Sequence, residues 1–393
     1  MKYGFKEVVL DSRTGLNPRK NFVLGNGKNN YITIKDIYDG KINISDKTDK
    51  VDDDAIQIIK KRSRIKAGDI LFVSIGRIGE TAIVAEKDDS WDVNESVFVF
   101  TVNEKIITPE YFCMLFRSDT VKDYITGNSS GSTFKSIKMN QLERMVFDLP
   151  SLEVQRNITA KLEKINDVCS LRASQLEYFD EIIKARFVEL FGDTVINPKG
   201  WTEHRLDEYI TFLTSGSRGW AQYFTDEKKE LFITIKNVKN NHITLGDIQY
   251  VDAPENKEAE RTKVKTGDLL ISITADLGRT GVVDDSIADR GAYINQHLSL
   301  VRLNQDKINP LYVSYFLETS GGKRQFESKN QNGVKAGLNF EAIKSLKILA
   351  PPIEMQKQYI DFVEQVDKSK VAVQKALDET QLLFDSLMQE YFG

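Results

Sequence analysis

Two stretches of the chain carry apolar residues at alternating steps of four and three. The first runs Ile158, Leu162, Ile165, Cys169, Arg172, Leu176, Phe179, Ile183, Arg186, Leu190. The second runs Tyr359, Val363, Val366, Lys370, Val373, Leu377, Thr380, Phe384, Leu387, Tyr391. Such steps make a heptad seam on one side of a helix. The pattern predicts two long helices whose packing residues are Ile158, Leu162, Ile165, Leu176, Phe179 and Ile183 on one, and Tyr359, Val363, Val366, Leu377 and Phe384 on the other. Pro150 and Pro352 stand where proline is tolerated before or within a first turn, and Gly192 follows the last periodic residue as a stop. A helix of roughly forty residues is about 60 Å long, too long to be buried in one small domain and too apolar along one stripe to stand alone. Each therefore predicts the other as an antiparallel coiled-coil partner, with a globular part at either end; the competing expectation is that each packs only on its own domain.

The rest of the chain has a different period. Ile70-Leu71-Phe72-Val73-Ser74-Ile75 and Leu269-Leu270-Ile271-Ser272-Ile273 are short apolar runs after a Gly-Asp turn, which suits buried strands. Val97-Phe98-Val99-Phe100 and Leu298 to Leu303 continue that character, and short helices are predicted after Pro109 and Pro310. The fold class is α+β: two mixed α/β globular blocks, 1–149 and 193–349, separated by two long helices within 150–192 and 350–393.

These pairs of segments are copies. Ile32-Thr33-Ile34-Lys35 recurs as Ile233-Thr234-Ile235-Lys236, and Lys66-Ala67-Gly68-Asp69 as Lys265-Thr266-Gly267-Asp268. Pro150-Ser151-Leu152-Glu153-Val154-Gln155 recurs as Pro351-Pro352-Ile353-Glu354-Met355-Gln356, and Leu190-Phe191-Gly192 as Tyr391-Phe392-Gly393. The shift is 201 or 199 residues throughout, and so constant a register means internal duplication with pseudo-two-fold character. Arg13 to Lys20, by contrast, shows no equivalent in Ser215 to Tyr223. Loops that vary on a shared frame are where binding specificity normally sits.

Composition narrows the function. With 54 Lys and Arg against 58 Asp and Glu the chain is mildly acidic, an unpromising balance for a nucleic-acid binder, although cations can still gather on one face. No apolar run approaches a membrane span and no apolar region follows the N-terminus, so a cytoplasmic, non-membrane protein is expected. Cys113 and Cys169 are isolated, and His204, His242 and His297 are scattered; neither a disulfide framework nor a metal site is predicted. Phosphate-loop, HExxH and GxSxG signatures are missing, and the Asn-Pro pairs lack the second proline and aromatic of adenine methyltransferases. No catalytic residue and no cofactor of the chain's own is expected.

What remains is loops rich in hydrogen-bonding side chains: Arg13, Arg19, Lys20, Lys28, Asn30, Arg77, Ser130, Ser132 and Lys135 in the first copy, and Ser217, Arg218, Arg279, Asn295, Gln296, Lys329, Asn330, Gln331, Asn332 and Lys335 in the second. Arg, Lys, Asn and Gln read guanine and adenine edges in the major groove, and Ser, Thr and Lys hold phosphates. These are the candidate DNA-binding residues.

Two divergent globular blocks alternating with two similar helices, each introduced by Pro-x-[Leu/Ile]-Glu-x-Gln, resemble the specificity subunit of type I restriction-modification systems. The resemblance covers the whole chain, and the Ser217-Arg218-Gly219-Trp220 loop looks like one found in many target-recognition domains, which adds Trp220 to the candidates. It implies that each block is a target-recognition domain for one half of a bipartite, asymmetric double-stranded DNA site and that the helices fix the gap. It further implies two methyltransferase subunits bringing S-adenosylmethionine, joined by restriction and motor subunits, while this chain is not an enzyme. A duplicated coiled-coil scaffold that does not read DNA is the principal alternative; a self-contained methyltransferase or nuclease is the other. Arg172, Arg186 and Lys370, which interrupt the seam, either pair with acids across the helices or face a partner.

Overall fold

The computed structural model describes residues 1–131, 135–274, 276–330 and 337–393. It divides into two compact units, Met1–Ser174 with Gln374–Gly393, and Gln175–Val373. The boundary falls inside both long helices, Leu152–Phe191 and Ile353–Phe392, so each unit holds one globular domain and a segment of each helix.

The main elements of the first unit are strand β1 (Val9–Thr14), β2 (Asn29–Ile32), helix α1 (Asp53–Ser63), β3 (Ile70–Val73), β4 (Thr81–Ile83), β5 (Trp91–Val93), β6 (Val97–Val102), α2 (Pro109–Phe116), α3 (Asp119–Asn128) and the first part of α4 (Leu152–Phe191). An antiparallel sheet has the order β1-β6-β3-β4, and a smaller one sets β2 between Asp49–Val51 and the parallel β5. Alternation along β3 and β6 sends Ile70, Phe72, Phe98 and Phe100 into one apolar cluster and Leu71, Val73, Val97 and Val99 into another. Both faces of this sheet are covered, which is why its strands read as continuous apolar runs. The first cluster contains Ile158 and Leu162 of α4 together with Phe384, Met388 and Phe392 of the last helix.

The second unit repeats the plan with β7 (Ile210–Ser215), β8 (Glu230–Ile233), β9 (Leu269–Ser272), β10 (Thr280–Val282), β11 (Ala292–Ile294), β12 (Leu298–Leu303), α5 (Pro310–Glu318) and α6 (Ser320–Asn330). Its main sheet runs β7-β12-β9-β10 and is extended by Asn241–Ile243, parallel to β10, and Val238–Lys239. Leu269, Ile271, Val301 and Leu303 share a core with Ile183, Phe187 and Phe191 of α4 and with Tyr359 and Val363 of α7 (Ile353–Phe392). The same strand positions face the helices in both units.

Within each unit the helix segments run antiparallel. In the second, Asp180, Arg186 and Phe187 meet Lys370, Phe362 and Tyr359 in turn. In the first, Arg172 hydrogen-bonds Ala376 O and Thr380 Oγ1. Of the predicted seam, Ile158, Leu162, Ile183, Tyr359, Val363, Val366 and Phe384 are buried, while Ile165, Leu176, Phe179 and Leu377 are half-buried. The cations interrupting the seam have three different fates. Lys370 pairs with Asp180 across the helices, Arg186 pairs with Glu189 on its own helix at 2.8 Å, and Arg172 finds a carbonyl and a hydroxyl in place of an acid.

The repeated Pro-x-[Leu/Ile]-Glu-x-Gln motif has a structural meaning. Gln155 is fully buried; its Oε1 accepts from Thr108 N at 3.0 Å, and its Nε2 donates to Ile106 O at 2.8 Å and Pro150 O at 2.9 Å. Gln356, equally buried, accepts from Asn309 N at 2.9 Å and donates to Pro351 O at 2.8 Å. Thr108 and Asn309 cap α2 and α5, so each glutamine fastens a long helix to the start of its domain's core helix. Gln155→Leu would leave one buried and two part-buried backbone groups without this partner, and an unmade buried bond costs about 1–3 kcal/mol. The expected outcome is a chemical-denaturation midpoint lowered accordingly, with faster amide exchange at Thr108; an unchanged midpoint would refute the staple.

Candidate nucleic-acid interface

Four chain segments meet at one end of the main sheet in each domain. In the first, Ser74 N and Oγ donate to Ser96 O at 3.0 and 2.7 Å, tying the β3–β4 turn to the β5–β6 connector. Gly76 N donates to Lys135 O and Ile137 N to Ser74 O, both at 3.0 Å, so the loop after α3 joins them. The β1 strand ends there as well: a Cβ on Gly15 would come within 1.8 Å of Val93 O, so only glycine fits. The second domain repeats this arrangement. Ile273 N donates to His297 O at 3.0 Å, Leu338 N to Ile273 O at 2.9 Å, and a Cβ on Gly216 would lie 2.0 Å from Asn295 O. The expectation that the Arg13 loop has no counterpart is thereby corrected, since Thr14-Gly15 matches Ser215-Gly216 and the loops diverge only afterwards.

At the opposite end of the same central strand, just before β3 or β9, lies a fully buried aspartate, Asp69 or Asp268. Asp69 takes Arg13 Nη2 at 3.0 Å from β1 and Thr101 Oγ1 at 2.5 Å from β6. Asp268 takes Arg302 bidentately, Nε and Nη2 both at 2.7 Å, from β12, while the residue matching Arg13 is Thr214 on β7. Cation and hydroxyl have exchanged strands between the copies. A further arginine crosses to the same edge in both: Arg62 Nε donates to Thr14 Oγ1 at 3.3 Å, and Arg261 Nη1 donates to Thr214 Oγ1 and to Ser215 O.

The predicted residues divide accordingly. Arg13 is buried in that ion pair and also donates to Arg64 O at 2.7 Å, so it is withdrawn from the candidate surface. Trp220 is likewise a core residue, packed on Tyr293 and Phe232 at centroid distances of 4.9 and 5.3 Å, with Nε1 donating to Ser217 Oγ at 3.0 Å. Arg77 donates to Ile34 O and Ile37 O and lies over Tyr38, holding its own loop, and Arg279 pairs with Asp276 at 3.0 Å. Asn30 accepts from Lys50, and exposed Lys28 lies 3.5 Å from Asp53. Arg19, Lys20, Lys135 and Arg218 are exposed and make no side-chain bond with the described residues. Ser130, also exposed, pairs with Ser136 through its backbone. Lys329 and Asn330 end α6, and only their backbone is described; Ser132, Gln331, Asn332 and Lys335 lie outside the described residues.

Electrostatics ties some of these groups into the frame. Hydrogen bonds from Arg261 and then Ser217 hold the Glu258 carboxyl below its usual range, and burial, reinforced by Glu95 and Asp49, raises the Tyr31 phenol. Sequence inspection missed Glu95, the counterpart of Gln296, although the 201-residue register alone aligns the two. Among the described residues no cluster of His, Cys, Asp and Glu could hold a metal, and no helix is long and apolar enough to cross a membrane.

The chain matches the profile of the type I restriction modification DNA specificity domain over residues 6–177 and again over 198–380. A Methanocaldococcus jannaschii protein assigned as the specificity subunit of type I restriction enzyme MjaX is 26% identical, with 94% of this chain and 89% of that protein covered. The Escherichia coli EcoKI specificity subunit is 23% identical over 74% of this chain and 66% of its own length. Among solved structures, the type I restriction-modification S subunit from M. genitalium superposes with a TM-score of 0.57 at 13% identity, covering 100% of this chain and 96% of that one. A chain from a structure concerning assembly and conformational transition of the type I R-M system gives a TM-score of 0.60 at 21% identity, covering 100% and 97%.

The exchanged ion pair makes a direct prediction. Arg13→Thr strands a buried carboxylate, which costs about 3–5 kcal/mol; adding Thr101→Arg rebuilds the Thr214 and Arg302 arrangement of the other domain. Thermal unfolding should show a strongly destabilised single variant and a double variant restored by more than half. A double variant no more stable than the single one would overturn the equivalence.

Proposed function

Because this chain belongs to the type I restriction modification DNA specificity family, we propose that it is the non-catalytic, sequence-reading subunit of such a complex. Each globular domain reads one half of a split, asymmetric site in double-stranded DNA. The two long helices fix the gap between the halves and dock two methyltransferase subunits, to which restriction and motor subunits add. S-adenosylmethionine enters on the methyltransferase subunits, and the assembly works in the cytoplasm.

The observation that carries this reading is the repetition of one frame with unlike chemistry at one place. Both copies end their main sheet in the same loop cluster, closed by the same forced glycine, and both anchor the same sheet on a buried aspartate. At matching positions of that cluster the first copy has Arg77, Glu80 and Glu95 where the second has Asp276, Arg279 and Gln296. Two equal scaffolds with exchanged charge and altered hydrogen-bonding capacity suit two unlike half-sites. A mildly acidic chain can still bind through exposed Arg19, Lys20, Lys135 and Arg218, because phosphate contacts need a local, not a net, positive charge.

Base-resolution mapping of methylated adenines, in cells carrying the partner methyltransferase with and without this chain, tests the reading. A split motif present only with this chain is expected; methylation that does not depend on the chain would sink it, and the scaffold alternative would lead. Proline at Leu176 or Leu377, both half-buried in helix interiors, should cost about 3 kcal/mol or more and blur the gap. Both half-sites retained at one unchanged spacing would refute the ruler.

A further inference from the structure

The β5–β6 connector, Asn94-Glu95-Ser96, and its counterpart Asn295-Gln296-His297 are held alike. Asn94 N donates to Ile32 O at 2.9 Å and Asn295 N to Ile233 O at 3.0 Å. The asparagine Oδ1 accepts from Ser96 N in one domain and from His297 N in the other, at 3.1 Å in each. The middle residue is thus carried on the same rigid backbone at the centre of each loop cluster, half-buried in both cases.

The middle residues differ in a way that matters for recognition. A carboxylate has two equivalent acceptors, so turning Glu95 over changes nothing, and its side chain makes no bond with the described residues. An amide has a donor end and an acceptor end, and turning it over exchanges them. Gln296 is held in place by a clamp: its Nε2 lies 2.9 Å from His297 Nε2, and His297 Nδ1 lies 2.9 Å from Thr274 Oγ1. With the nitrogen toward the ring the amide donates to Nε2 and Nδ1–H donates to Thr274; with the amide turned over, Nε2–H donates to Oε1 and the Thr274 hydroxyl donates to Nδ1. Either way the side chain stays on the His297–Thr274 pair. With the nitrogen toward the ring, the second N–H and Oε1 of Gln296 stay free, the donor and acceptor pair that matches the adenine edge, whereas a carboxylate suits the cytosine amino group. Domain 1 has no such clamp: Ile75 stands at the place of Thr274 and Ser96 at the place of His297.

We propose that Glu95 and Gln296 each read a base edge in their own half-site, and that His297 is the positioning residue that holds the Gln296 side chain in place. The proposal rests on the DNA-reading function above and names the residues that distinguish its two halves.

Methylation mapping with the full chain and its partner subunits tests it. Gln296→Glu should change the accepted base at one position of one half-site by on the order of 10–100-fold, and Glu95→Gln should do so in the other half only. His297→Leu should relax the position altered by Gln296→Glu, while His297→Gln, which keeps an acceptor and a donor, should retain it. A chain-dependent split motif in the wild type that none of these variants alters would overturn this proposal and leave the DNA-reading function standing. No chain-dependent motif in the wild type would instead remove that function itself. If a variant abolishes methylation, binding of the purified complex to duplexes varied one base at a time decides. Recovery on one substituted base supports the proposal, and uniform loss overturns it.

Discussion

A forty-residue helix with one apolar stripe cannot be left in water, and the rest of this structure follows from how the stripe is buried. Each domain core is completed by the beginning of the helix that follows it and the end of the other: Ile158 and Leu162 with Phe384 and Phe392 in one unit, Tyr359 and Val363 with Ile183 and Phe191 in the other. Unlike a linker, each helix is part of two hydrophobic cores at once. The buried glutamines at positions 155 and 356 make the attachment specific, since each satisfies the backbone N–H of a capping residue that an apolar side chain could not. A domain deprived of its helix segments would expose the face of its own sheet.

On that foundation the two copies keep what the frame needs and vary what it does not. The turn that begins at Thr33 is closed by Asp36, whose Oδ2 accepts from Thr33 N at 2.8 Å; its counterpart uses Asn237 Oδ1 on Thr234 N at 3.0 Å. Acid has become amide while the bond is unchanged. In the loop cluster the same kind of replacement, Glu95 for Gln296, falls on the pair proposed to read base edges, where donor and acceptor identity is the information. Frame and surface use the same chemistry for opposite ends.

The large-scale plan was legible in the sequence because periodicity and duplication are long signals. The heptad steps marked the seam residues that the structure buries or half-buries, and the constant shift identified the repeat before any element was assigned. The cluster itself was legible only in outline. Arg13 reads as an exposed recognition residue because a charge near a Gly-containing loop looks the same whether it faces water or a core, and Trp220 joined it through the resemblance of its loop to those of target-recognition domains. What decides is a strand neighbour tens of residues away, Asp69 for the arginine and Tyr293 for the tryptophan. Glu95 went unnoticed for the opposite reason: nothing local marks it, and only alignment with Gln296 gives it meaning. The compact units also cut across the sequence blocks, since contacts made by a helix with a distant segment leave no trace in composition.

The strand exchange around the buried aspartates bears on how such a chain can be recombined. A crossover between the copies inside a sheet, taking the first strand from one and its neighbour from the other, would bring Asp69 either two guanidinium groups, Arg13 with Arg302, or none, Thr214 with Thr101. Both products bury an unbalanced charge. A crossover within the long helices, whose seams match position for position, carries each aspartate together with its own cation. Exchange of whole domains at the helices therefore leaves both buried ion pairs intact.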